Sequence, residues 1–334
     1  PPLLRRYWEN QYGTGIRPTG GLPRRSRSCG PVVRRESCLV GASQGTLRAM
    51  TRVLLTGAGG MLGRELARQL ADLDLTSTTK ETLDITRAED VDLAVSHADV
   101  VVNTAAYTAV DKAEDEEELA FSINAEGPRI LARAAAHHGA TLIHLSTDYV
   151  FDGQSTVPYP EDTPRRPQST YGASKAAGEE AVLEEHEDGT ILVRTAWLYG
   201  SGGSHFPGAM LRLADAEDTI SVVTDQIGQP TWSRDLAQWI RLLIDNRIGS
   251  GIFHGTNAGQ TSWWDFARVI FERAGHDPHR VLPTTSEHFV RPATRPSWSV
   301  LGHSNWNDSG LPAPRAWDEA FDEAFPILFP GLGQ

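Results

Sequence analysis

From Met50 onward, short apolar runs alternate with longer stretches of helical period. The strand-like runs are 52–56, 73–77, 99–103, 141–146, 190–195 and 220–223. The helix-like stretches between them are 60–71, 87–95, 114–138, 170–186 and 204–215. The run Asp99-Val100-Val101-Val102-Asn103 is nearly continuous in apolar character, as a strand covered on both faces must be. This alternation predicts an α/β fold, a doubly wound parallel sheet with helices on both faces. Beyond about residue 224 the rhythm loosens and Pro and Trp become common, with Trp232, Trp239, Trp263, Trp264, Trp298, Trp306 and Trp317. The expectation is a main domain over 50–223 and, over most of 224–330, a smaller lobe packed on the carboxyl edge of the sheet, where open α/β folds bind ligands.

Residues 1–49 differ in kind. They hold nine Arg and two acidic residues, with many Gly, Pro and Ser and neither period. They read as a disordered extension upstream of the fold, and no apolar core of a secretory signal follows the arginines. Both cysteines, Cys29 and Cys38, lie in this segment, so a disulfide framework or a Cys-based metal site in the main body is excluded and a cytoplasmic setting is expected. No apolar run approaches the roughly 18–20 residues of a membrane span. The net charge of −12 argues against a nucleic-acid partner. Lysine is scarce, with only Lys80, Lys112 and Lys175.

Gly57-Ala58-Gly59-Gly60-Met61-Leu62-Gly63 follows the first predicted strand and opens the first predicted helix, the context in which a glycine turn binds a dinucleotide. Gly57 allows the tight turn, Gly60 the approach of backbone to a pyrophosphate, and Gly63 the close packing of helix on strand. The second strand ends in Ser77-Thr78-Thr79-Lys80 rather than in a carboxylate. Asp74 comes too early to read a ribose 2′-hydroxyl, and Lys80 suits a 2′-phosphate, so NADPH is favoured over NADH. Asp84, followed by Ile85, is placed to cap the next helix or to meet the adenine side.

Three further residues complete a chemistry. Thr147 supplies a hydroxyl at a strand end, and Tyr171 and Lys175 stand one helical turn apart on one face. Reducing a carbonyl needs a hydride on carbon and a proton on oxygen. A free phenol is a poor match near neutral pH, and a nearby ammonium lowers its pKa. Tyr-x-x-x-Lys alone is more commonly an amphipathic helix surface. The glycine turn and Thr147 in register make the catalytic reading the better one.

The same residues carry a resemblance. The chain from Met50 to about 327 resembles the extended short-chain dehydrogenase/reductases and, within them, the dTDP-4-dehydrorhamnose reductase family. The strings that carry it are Asn103 to Glu114, Ser146 to Gly153, Arg194 to Gly200, Thr224 to Thr231 and Arg295-Pro296-Ser297. The resemblance implies a Rossmann-like fold, a nicotinamide cofactor and a nucleotide-linked 4-keto-6-deoxy sugar as substrate. It implies Tyr171 as proton donor, with Lys175 and Thr147 beside it. Gly60, Met61 and Leu62 would touch the pyrophosphate, and Ala106, Tyr107 and Thr108 would lie along the cofactor. Val110, Thr147, Asp148, Tyr149 and Trp197 would form the sugar pocket. Some relatives pair through a Mg²⁺ held by glutamates. Glu65 matches one of them, but no glutamate stands around Thr231-Trp232-Ser233-Arg234, so a metal-linked dimer is not expected and the chain is expected as a monomer or homodimer.

The chemistry is fixed better than the sugar. A reductase of another nucleotide-linked 4-keto sugar remains open, as does a non-catalytic nucleotide-binding regulatory subunit, which turnover would separate. A dehydratase would need a glutamate where Tyr149 stands. No metal site is expected. Glu114 to Glu118 read as carboxylates in the first turn of a long helix, and His137-His138 as an exposed helix end without ligand spacing.

Overall fold

The computed structural model describes residues 50–332, so the expectation for residues 1–49 lies outside the described part. The first strand, β1 (Arg52–Thr56), leads into helix α1 (Met61–Gln69), strand β2 (Asp74–Ser77), α2 (Ala88–Val95) and β3 (Val100–Asn103). A helical stretch follows, α3 (Glu117–Phe121) and α4 (Gly127–His138), joined by a π-helical turn over Ser122–Glu126. Then come β4 (Thr141–Thr147), α5 (Thr170–His186), β5 (Thr190–Thr195) and the short β6 (Leu198–Tyr199). The remainder is α6 (Phe206–Ala216), β7 (Ile220–Val223), β8 (Ile227–Gly228), β9 (Thr231–Trp232), α7 (Ser233–Asp245), β10 (Gly251–His254), β11 (Thr261–Ser262), α8 (Trp263–Arg273), β12 (Val281–Thr284), α9 (Ser304–Asp308) and α10 (Trp317–Leu328).

Six strands form one parallel sheet in the order β10-β5-β4-β3-β1-β2. Successive residues along each inner strand enter different cores, which is why those strands read as unbroken apolar runs. Val53, Leu55, Val102, Ile143 and Val193 meet α1 and α7 through Leu62, Leu66, Leu236 and Ile240. Leu54, Val101, Leu142 and Leu192 meet α2, α4 and α5 through Val91, Leu131, Ala135 and Val182. The sheet is doubly wound, as the alternation predicts.

The strand at 220–223 forms but does not join this sheet. It pairs in parallel with β12, and the sheet's sixth strand is β10, from beyond residue 224. α7 likewise covers the sheet face. The boundary at 223/224 therefore does not follow the topology: the chain leaves the sheet after β5, returns for α7 and β10, and leaves again. A four-residue apolar run carries no signal of its partner, and β7 and β10 are equally short. Outside the sheet, α6, α8 and α10 enclose a separate core of Met210, Phe266, Phe271, Phe321 and Phe325.

Candidate active site

At the carboxyl ends of β1, β3, β4 and β5 the chain encloses a cavity of about 820 Å³, within the range of cofactor and ligand sites. The turn after β1 forms one wall. Gly57 has φ +72°, and a Cβ there would lie 2.6 Å from the Ala105 nitrogen. A Cβ at Gly63 would lie 2.3 Å from the Gly57 carbonyl oxygen, so α1 packs on the turn as closely as backbone permits. Gly60 caps α1 without a side chain, leaving the first-turn N–H groups uncapped by any side chain, and Gly60, Met61, Leu62 and Gly63 face the cavity. Free N–H groups and the positive helix end favour a pyrophosphate, so the cradle fits a dinucleotide.

The end of β2 forms the adjacent wall, with Thr79, Lys80, Glu81, Leu83, Asp84 and Ile85. Lys80 is exposed, and Asp74 stands at the opposite end of β2, paired in register with Arg52. Glu81, which sequence reasoning passed over, accepts a hydrogen bond of 2.6 Å from the Thr79 hydroxyl, which lowers its pKa. Asp84 does not cap α2, whose N-cap is Arg87 with no side-chain bond. Its carboxylate instead accepts from the Thr86 nitrogen (3.0 Å) and hydroxyl (2.7 Å), and these bonds lower its pKa.

Past β3, Ala106, Thr108 and Val110 line the cavity and Tyr107 does not. The Tyr107 nitrogen donates to Asn124 Oδ1 (2.8 Å), its carbonyl accepts from Asn124 Nδ2 (3.0 Å), and its phenol donates to Glu116 (2.7 Å). Asn124 is fully buried in the π-helical turn and also donates to Ser174 on α5 (3.0 Å). It holds the loop carrying Ala106 and Thr108 against the helix carrying Tyr171. No sequence signal marks a π-turn, so this residue was missed. Glu114 departs from expectation as well. Its carboxylate accepts from the Thr170 nitrogen and hydroxyl, both at 2.9 Å, so it caps α5 rather than opening its own helix.

Thr147 ends β4, and the Ser169 hydroxyl caps α5 by accepting from Gly172 N. A Cβ at Gly172 would lie 2.3 Å from the Tyr149 carbonyl, and the Tyr149 and Tyr171 rings meet edge to face at 5.5 Å. Thr147, Asp148, Tyr149, Tyr171 and Lys175 all line the cavity. The Thr147 hydroxyl donates to Asp148 Oδ1 (2.9 Å). Burial pushes the Tyr171 phenol up to about 12, with Thr147 hydrogen bonding against the shift and Asp148 adding to it. Lys175, 2% exposed, donates through Nζ to the Leu145 carbonyl at 2.6 Å, and burial lowers it to about 8 against the opposing charge of Glu179. The expected depression of the phenol by Lys175 is thus not what the fold provides: the ammonium is turned to a strand carbonyl, and burial dominates at Tyr171.

Asp148 is 2% exposed, and burial raises it to about 6. Its Oδ2 has no hydrogen bond of good geometry, although the nearby Ser299 hydroxyl favours the charged form. Beneath this corner, Glu179 on α5 takes a bidentate pair from Arg194 on β5, at 2.8 and 2.7 Å, with both side chains buried. Trp197, on the turn after β5, has φ +45° and lines the cavity. Its ring stacks on Trp263 at 3.5 Å. A Cβ at Gly228 would come within 2.5 Å of it, which gives the Thr224 to Thr231 string a steric purpose. Glu65, by contrast, is buried and paired with Arg68 at 2.6 Å.

The cavity therefore joins an anion cradle, a protonated phenol, a hydroxyl and a buried ammonium in one continuous space. Among the described residues no helix is long and apolar enough to cross a membrane. The family model described as the RmlD substrate binding domain matches residues 50–328. A dTDP-4-dehydrorhamnose reductase of Streptomyces griseus is 49% identical over 285 residues, covering 83% of this chain and 94% of that protein. A probable dTDP-4,6-dihydroxy-2-methyloxan-3-one 4-ketoreductase of Streptomyces antibioticus is 48% identical, covering 83% and 95%. The solved structure of the dTDP-4-dehydrorhamnose reductase of Bacillus anthracis in complex with NADP aligns with a TM-score of 0.80 at 40% identity, covering 83% of this chain and 99% of that one. With the glycine cradle, the Thr147–Tyr171–Lys175 corner and these likenesses together, the chain belongs to the dTDP-4-dehydrorhamnose reductase family of extended short-chain dehydrogenase/reductases.

Proposed function

We propose that this protein reduces the C4 ketone of dTDP-4-dehydro-L-rhamnose to dTDP-L-rhamnose. NADPH, when bound, supplies the hydride to C4. Tyr171 supplies the proton to O4, and the observation that carries this role is its place in the cavity as a phenol held protonated by burial. A phenol that keeps its proton at neutral pH is an acid ready for the reductive direction. The Thr147 hydroxyl has a single proton, donated to Asp148 in this structure; turned to the substrate instead, it orients the carbonyl oxygen. Val110, Tyr149 and Trp197 form the sugar wall, with the indole nitrogen of Trp197 suited to a sugar hydroxyl.

The residues that hold the cofactor in this reading are Gly57, Gly60, Met61, Leu62 and Gly63 at the pyrophosphate and Lys80 at the 2′-phosphate. Asp84 and Ile85 lie toward the adenine, Ala106 and Thr108 along the groove, and Lys175 at the ribose hydroxyls. The preference for NADPH rests on Lys80 and on the NADP complex of the Bacillus anthracis relative. A second sugar is a live alternative because relatives of nearly equal identity carry other names. The Streptomyces niveus relative, 44% identical, is called a dTDP-4-keto-6-deoxy-D-glucose reductase.

The test follows absorbance at 340 nm with NADPH and dTDP-4-dehydro-L-rhamnose made in situ, beside dTDP-4-keto-6-deoxy-D-glucose. Oxidation with the rhamnose precursor is expected, and Tyr171→Phe is expected to lower kcat by about 10²–10⁴-fold with NADPH binding retained. Turnover of the glucose derivative alone would move the assignment to that sugar. Folded protein that binds NADPH and reduces neither would point to a regulatory subunit.

A further inference from the structure

His137 and His138 are the last two residues of α4, and Asp92 lies in the last turn of α2. The sequence separates Asp92 from the histidines by some 45 positions, which is why no ligand spacing was visible and no metal site was expected. The fold brings them together. His138 Nε2 lies 2.9 Å and His137 Nδ1 3.5 Å from Asp92 Oδ1, and one ligand atom from each of the three residues lies within 4.8 Å of the other two. The two imidazoles stack at 4.5 Å with an interplanar angle of 20°. Zn–N and Zn–O bonds of about 2.0–2.1 Å at tetrahedral angles place ligand atoms about 3.3 Å apart, so the carboxylate-to-imidazole spacings bracket the value a bound ion requires.

We propose that Asp92, His137 and His138 form a surface site for a divalent ion of borderline softness, Zn²⁺ foremost, with water completing the coordination. Two imidazoles and one carboxylate are the donor set such an ion selects over Ca²⁺ or Mg²⁺. Both contributing helices present their C-terminal ends, whose partial negative charge favours a cation. His138 enters the site already oriented, being half-buried and hydrogen-bonded to Asp92, and the exposed His137 ring turns out of its stack to bring both lone pairs onto one ion.

The site is structural in consequence. The chain passes from His138 into β4 within three residues, so the ion sits at the amino edge of the parallel sheet. The cavity lies at the carboxyl edge. The ion would clamp α2 to α4 behind the sheet and leave the reductive corner untouched, so the proposal stands independently of the substrate assignment.

The test is thermal unfolding of the full chain with added ZnCl₂, comparing wild type with His137→Ala and with Asp92→Asn/His137→Ala. His137 is exposed, so its truncation leaves the fold intact. A Tm rise of about 5 °C is expected for wild type at a hundredfold excess over Kd, with most of it lost in both variants and reductase activity unchanged. Substitution with Co²⁺ is expected to give visible absorption of a nitrogen- and oxygen-ligated ion in wild type alone. Equal shifts in all three proteins would place any bound zinc elsewhere, for instance on Cys29 or Cys38, and would overturn the site. No shift in wild type would overturn it as well.

Discussion

Replacing Asp148 by asparagine should make the protein more stable above pH 6 while weakening catalysis. Asp148 is 2% exposed and its carboxyl is raised from 3.8 to about 6, burial being the largest cause. A folded pKa above the unfolded one means that the native state holds the proton more tightly across the window 3.8 to about 6. The stability this confers is fully present below 3.8 and is lost as pH rises through about 6. The whole window is worth about 3 kcal/mol, and the part lost between pH 5 and pH 7.5 is on the order of 1 kcal/mol. Asparagine keeps an acceptor for the Thr147 hydroxyl and carries no charge to desolvate. His144 and His254, held well below their usual range by burial, and His303, held at about 4, bring the opposite slope. They are common to both proteins and cancel in the difference. The assay is the Tm difference between variant and wild type at pH 5 and at pH 7.5. It should widen in favour of Asp148→Asn by about 3 °C, while kcat/KM falls. Parallel curves would refute the reasoning, because they would mean that the carboxyl is solvated or ionised equally in both states.

Three other outcomes follow from the same geometry. Lys80→Ala should raise Kd for NADPH about tenfold and leave NADH nearly unchanged, since it removes one charge-assisted contact to the 2′-phosphate; titration of cofactor fluorescence with both nucleotides checks it. Gly63→Ala sets a Cβ 2.3 Å from the Gly57 carbonyl oxygen, so α1 must move off the turn. A loss of about 1–3 kcal/mol in stability and a Kd for NADPH at least several times higher are expected by denaturation and titration. Glu179→Gln leaves Arg194 buried without its carboxylate and should cost about 3–5 kcal/mol, whereas Glu179→Met/Arg194→Met should recover much of it; denaturant midpoints of the three proteins decide.

What the sequence made legible follows from how local each signal is. β1, the turn and α1 are written in contiguous residues: an apolar run, Gly57, Gly60 and Gly63, then an amphipathic stretch. The structure places them within a residue or two of the reading. Tyr171 and Lys175 are legible because a helix fixes the geometry of residues four apart. What lay hidden was every pairing of distant segments. β7 looks like a sheet strand and pairs with β12. β10 looks no different and closes the sheet. Glu114 sits in an acidic run and caps α5 from 56 positions away. Asn124 acts only because a π-turn aims it at the Tyr107 backbone, and that same clamp turns the Tyr107 phenol toward Glu116 and out of the cavity.

The electrostatics of the reactive corner show the same limit at the level of mechanism. Tyr-x-x-x-Lys suggests an ammonium lowering a phenol, an argument drawn from proximity along a helix. Burial enters that argument nowhere, yet it is the largest cause at Tyr171, Lys175 and Asp148 alike. It drives the phenol up to about 12 and the ammonium down to about 8, so each charged form is disfavoured. In a reduction this suits the acid, which must arrive carrying its proton. It also leaves the ammonium dependent on its surroundings: Glu179, one turn along α5, is the opposing charge that supports it, and Glu179 is itself held by Arg194. The ion pair beneath the cavity thus connects β5 to the protonation of Lys175. Its removal should therefore move the alkaline limb of NADPH binding to lower pH as well as weaken the fold, and a change in stability alone, with that limb unmoved, would confine Arg194 and Glu179 to a structural role.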